Sequence, residues 1–94
     1  EVKKIAAISD TFHVPISLHN TKGPVGIAAA VHLMASIPNI APMELVTGIE
    51  WRDEIIKSPL KIVDGRIHIP EGPGWGIELD MGGVEKHRWH SSVA

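Results

Sequence analysis

Residues 14 to 47, VPISLHNTKGPVGIAAAVHLMASIPNIAPMELVT, decide the fold. Val14, Ile16 and Leu18 alternate with Pro15, Ser17 and His19, the two-residue period of a short strand, so Ser17 and His19 share a face. Lys22-Gly23-Pro24 then resets the chain, with Pro24 suited to the first turn of a helix. In the run GIAAAVHLMASI, residues 26 to 37, only His32 and Ser36 are polar, which predicts a helix buried on most sides. Ala28, Ala29 and Ala30 would let that helix approach a sheet closely, and Pro38 ends it. Met43 to Thr47 reads as a second strand, carrying Glu44 among apolar neighbours.

Two strands joined by a helical crossover are expected to lie parallel with a right-handed connection. Parallel strands need cover on both faces, which so small a unit cannot supply. The pattern therefore predicts part of a larger repeating βα sheet or barrel. Upstream, Val2, Ile5, Ala6 and Ile8 have helical spacing over residues 1 to 12. The chain opens on Glu1 inside that pattern, and with 94 residues it reads as a piece of a longer protein.

Downstream of Gly48 the style changes. IEWRDEIIKS, residues 49 to 58, predicts a short helix, and LKIVDGRIHIP, residues 60 to 70, predicts a hairpin turning at Asp64-Gly65. EGPGWGIELD, residues 71 to 80, reads as an irregular loop leading to a short extended piece, and residues 85 to 92 read as a polar tail.

Composition removes several classes of function. The content is 44% apolar and 21% charged with a formal charge of −2, so no basic field favours nucleic acid or an anionic membrane. The absence of cysteine excludes disulfides and thiolate metal sites and fits a reducing compartment. No apolar run reaches the roughly 18 residues of a membrane span. A cytoplasmic protein is expected.

His19 is the sharpest chemical signal. Reactive groups of parallel βα folds sit at the carboxyl ends of strands, and histidine is the usual acid or base near neutral pH. A histidine bonded to a loop carbonyl is the plainer alternative. Glu44 raises the same question on the next strand, because a carboxylate among apolar side chains is costly to bury unless paired, protonated or bound to ligand. Exposure is the plainer alternative there.

Other signals are weaker. His87 and His90 in HRWH lack the ligand count of a metal site. GPGWG, residues 72 to 76, has no following helix and no Lys-Ser/Thr pair, so it reads as a tight turn with Trp75 packed under it rather than as a phosphate loop. His32 reads as a satisfied or peripheral histidine. Trp51 and Trp89 do not make a base-stacking platform.

Taken together, VPISLHN, GPVGIAAAVHLMASIPNIAPMELV and SPLKIVDGRIHIPEGPGWGIELD resemble the carboxyl-terminal part of the mandelate racemase group of the enolase superfamily, and most of all its acid-sugar dehydratases of the galactonate dehydratase kind. The likeness covers nearly the whole chain, including more loosely VEKHRWHSSVA. It implies an α/β fold that is the C-terminal portion of a modified (β/α)₇β TIM barrel. Residues 1–57 would be helix 6, strand 7, helix 7, strand 8 and the start of helix 8, and residues 58–94 the segment returning to the capping domain.

The resemblance places His19 on the family's seventh-strand acid/base histidine and Glu44 on its eighth-strand glutamate. Asn20, beside His19, becomes a candidate substrate-binding residue. It further implies Mg²⁺ held by acidic residues on earlier strands outside this chain, an aspartate orienting the histidine, a small-molecule sugar-acid substrate, the remainder of the same enzyme as partner, and a homo-oligomer. The 94 residues alone would be inactive. A racemase or epimerase of the same group is the near alternative, and a non-enzymatic small α/β structural or interaction module the distant one.

Overall fold

The computed structural model describes residues 1–90, so the last four residues of the expected tail and return segment lie outside the described residues. The first helix, α1, is Val2–Thr11. It ends where His13 takes a positive φ of 55°, with the His13 amide on the Asp10 carbonyl and the Val14 amide on the Ser9 carbonyl. This turn points the chain into the segment that carries His19.

The two expected strands are reduced to a short parallel contact. Ile16 pairs with Ile40, the Ile16 amide donating to the Asn39 carbonyl and the Ala41 amide to the Ile16 carbonyl, each at 2.8 Å. The second segment thus pairs over residues 39 to 44, earlier than the Met43 to Thr47 strand expected from the sequence. The regular pairing stops after Ala41, where the second segment takes in an extra residue before it next bonds the first.

A further bond runs from the Glu44 amide to the Leu18 carbonyl at 3.0 Å. A regular parallel ladder centred on Ile16 and Ile40 would use Met43 there, so the second segment carries one extra residue, in the manner of a bulge. The offset decides a face. On the regular register Glu44 would stand with Ile16 and Leu18; the extra residue brings it to the side of Ser17 and His19.

Between the two segments runs α2, Pro24–Ala35, with Pro24 at its first turn as expected. Its buried residues Pro24, Ile27, Ala28 and Val31 form one stripe at helical spacing. The remaining apolar side chains are half-buried or exposed, so the helix is not covered on most sides in this chain. Likewise α1 buries only Ala6, leaving Ile5, Ile8 and Phe12 exposed along one ridge.

The predicted helix over residues 49 to 58 shrinks to α3, Trp51–Glu54. Arg52 is 8% exposed and donates through Nη2 to the Val46 carbonyl, closing the turn after the second segment. The hairpin is as predicted: β1, Ile62–Val63, pairs antiparallel with β2, Arg66–Ile67, through a two-residue loop. Asp64 and Gly65 both have positive φ, 49° and 70°, which is the turn whose twist matches a hairpin.

The glycine run is a turn, with the Gly76 amide on the Pro73 carbonyl at 3.1 Å. Trp75 does not pack beneath it. Its ring lies 5.8 Å from that of His32, and an His32 ring nitrogen is 3.1 Å from the Trp75 carbonyl oxygen, which ties the loop to α2.

The expected extended piece is present, Leu79 pairing antiparallel with Ile56, and a helix, α4, Met81–Lys86, follows it and takes in the first two residues of the expected polar tail. Asp80 caps it, accepting from the Gly82 and Gly83 amides at 2.9 and 3.2 Å. The segment folds back on α3: Lys57 donates to the Glu78 carbonyl and Asp80 to that of Ile55, at 2.9 and 3.0 Å. Glu54 then takes Lys86 and His87, and these two partners hold its carboxyl below the usual glutamate range.

Candidate active site

The site is built from the ends of the two parallel segments. His19 follows Leu18, whose carbonyl accepts the Glu44 amide, so the backbone itself brings residues 19 and 44 alongside each other. With Glu44 moved to His19's face by the extra residue, the imidazole Nδ1 meets a Glu44 carboxylate oxygen. The two residues singled out from the sequence are thus in direct contact.

Both side chains are open to solvent, His19 more than Glu44. An exposed pair of this kind contributes little to stability by itself. Its geometry is held from behind instead. Ser17 donates to the Pro42 carbonyl at 2.7 Å, and Asn39 donates to the Ala6 and Val14 carbonyls at 3.2 and 2.9 Å, fixing the start of both segments on α1. Because Nδ1 faces Glu44, Nε2 is the ring nitrogen left to exchange a proton with a bound molecule.

Asn20, the third candidate, is 3% exposed. Its Oδ1 accepts the Lys22 amide at 3.3 Å and its Nδ2 lies 3.2 Å from the Met43 sulfur. Each of these two atoms keeps one further hydrogen-bonding site. Sequence reasoning missed Ser17, Asn39 and Met43 as supports of the site; the shared face of Ser17 and His19 was the available signal.

Two other histidines, His32 and His87, have local partners. His87 lies against the Trp51 ring at 5.7 Å and reaches Glu54 at 2.8 Å. Among the described residues no group of three or more His, Asp or Glu side chains could hold a metal ion, and no helix is long and apolar enough to cross a membrane. A cavity of about 300 Å³ lies behind the second segment, lined in part by Pro24, Ile27, Leu45, Thr47 and Arg52. It includes neither His19 nor Glu44.

Comparison with known proteins gives this geometry a setting. The family described as enolase C-terminal domain-like matches residues 1–83. D-xylonate dehydratase of Haloferax volcanii is 34% identical over 88 residues, covering 93% of this chain and 21% of the relative. D-gluconate dehydratase of Thermoproteus tenax is 32% identical over 87 residues, covering 90% and 18%. The crystal structure of a mandelate racemase/muconate lactonizing enzyme from Sulfitobacter sp. superposes with a TM-score of 0.85 at 39% identity, covering 98% of this chain and 23% of that one. The chain therefore spans about a fifth of the length of the relatives it matches, and its α/β fold is that of part of their barrel.

Proposed function

The chain belongs to the enolase C-terminal domain-like family, and from that premise we propose that it supplies the seventh and eighth strand ends of a sugar-acid dehydratase of the mandelate racemase group. In this proposal residues 1–57 close the barrel, residues 58–94 return to a capping domain, and the whole enzyme is an oligomer. The observation that carries the reading is the meeting of His19 and Glu44 at neighbouring parallel segment ends. The dehydratases among the relatives favour loss of water over racemisation.

The reaction asks for a group that moves protons and a group that supports charge. A proton alpha to a carboxylate is weakly acidic, so negative charge building on the carboxylate oxygens must meet donors arranged beforehand. His19 receives the alpha proton, or delivers one to the departing hydroxyl, through Nε2. Glu44 hydrogen-bonds the substrate carboxylate. To donate it must carry its own proton on the oxygen turned away from Nδ1, because the Nδ1 proton stays on the imidazole while Nε2 acts as base. The contact with Nδ1 also orients the imidazole.

Magnesium is expected from the family, but the described residues of this chain do not make a site for it. Mg²⁺ requires an octahedral set of oxygens, whereas the pair offers one carboxylate whose near oxygen already faces an imidazole. Its ligands belong, in this proposal, to strands outside the chain.

The test is His19→Asn in the full-length enzyme, assayed against D-xylonate and D-gluconate for 2-keto-3-deoxy acid and for exchange of the alpha proton with deuterated solvent. Turnover should fall by at least about 10²-fold, the scale of a lost acid/base group, with the fold kept because His19 is exposed. Retained turnover removes the assignment.

A further inference from the structure

Within this chain nothing packs around His19 and Glu44, so what this chain contributes to their separation is set just behind them. Among the described residues the bond from Glu44 to Leu18 is the last backbone link between the two segments. The extra residue disturbs the pairing at Met43. Beyond that point, besides the contact of His19 with Glu44 itself, the side chain of Asn20 spans the gap.

Asn20 is almost fully buried. The Lys22 amide can only donate, so the Asn20 atom facing it must be the carbonyl oxygen, and the amide nitrogen is left pointing at the Met43 sulfur. One planar group therefore joins the residue after His19 to the residue before Glu44. We infer that Asn20 is a positioning residue for the reaction proposed above, clipping the end of one segment to Met43 of the other and so fixing where Glu44 stands relative to His19. This inference rests on that proposed function, and it makes Asn20 act through Met43 and not by touching substrate.

The chemistry allows the two halves of the clip to be separated. Asn20→Asp keeps an oxygen for the Lys22 amide but has no N–H for the sulfur. Met43→Leu keeps the volume but removes the acceptor. In the full-length enzyme, kcat per folded molecule should fall about tenfold or more in each, the cost of a misplaced reacting group, while KM stays within about twofold. The double variant should be no slower than the slower single, because residues acting as one unit are not additive.

Measurement of the thermal midpoint alongside kcat separates positioning from a merely structural role, which would lower stability without the kcat and KM split. Should Asn20→Asp fail to fold, Met43→Leu alone carries the test. A rise in KM with kcat unchanged, additive losses, or unchanged kcat each overturn the inference. His19→Asn is run in parallel: if it stays active the dehydratase reading falls and the inference with it, whereas loss of turnover there with both clip variants fully active sinks the inference alone.

Discussion

Two adjacent glycines in α4 should respond to alanine with opposite signs. A Cβ built on Gly83 would lie 1.9 Å from the Glu54 carbonyl oxygen and 2.7 Å from its carbon, both backbone atoms that cannot swing aside. Restoring an ordinary contact of at least 3.4 Å moves α4 away from α3 by roughly 1.5 Å, enough to strain the bonds of Asp80 to Ile55 and of Lys57 to Glu78. Overpacking of this kind costs about 1–3 kcal/mol, and each weakened backbone bond up to about 1 kcal/mol. Alanine returns about 1 kcal/mol of helix propensity. The balance for Gly83→Ala is about 2 kcal/mol of destabilisation. A Cβ on Gly82 meets only the Asp80 Oδ1 at 3.2 Å, on a side chain that can yield by tenths of an ångström, so Gly82→Ala should be neutral to about 1 kcal/mol stabilising. Urea denaturation of the full-length protein measures the difference, and hydrogen exchange of residues 78 to 87 locates it. Equal stability of the two variants would refute the docking of α4 on α3.

The same contact sets a pH dependence. Lys86 first and His87 second depress the Glu54 carboxyl in the folded chain, so the stabilisation is present above the unfolded glutamate value and disappears as pH falls through the lower folded value. Thermal midpoints followed into acid should show this slope in the parent and a flatter one in Glu54→Gln. In the glycine turn, Gly76 has a φ of 68° and its Cβ would come within 2.7 Å of the Pro70 carbonyl carbon and oxygen. Gly76→Ala should therefore cost on the order of 2–3 kcal/mol, combining backbone strain with overpacking, and a change below about 0.5 kcal/mol in the same urea titration would contradict the turn.

Local chemistry was the legible part of this sequence. Pro24 and the apolar run after it located α2, and Asp64-Gly65 located the hairpin because only residues tolerant of positive φ fit such a turn. His19 and Glu44 stood out because each is polar where its surroundings are not. Pairing was less legible. Nothing in Met43 to Thr47 says that the hydrogen bonds run earlier, over residues 39 to 44, since that depends on the register taken with the partner segment. The helix α4 was hidden by Gly82 and Gly83, which lower helix propensity, although Asp80 before them is a capping signal. Gly83 is required by the close approach to α3, a tertiary demand that local pattern cannot display.

The extra residue beside Glu44 has a bearing on how relatives should be compared. Because side chains alternate strictly along an extended chain, losing or gaining a single position between Ile40 and the carboxylate would swing that acid to Leu18's side while leaving every catalytic letter in place. Spacing in this interval is therefore a better guide to a competent homologue than the identities within it, and a one-codon deletion there should do more damage than most replacements.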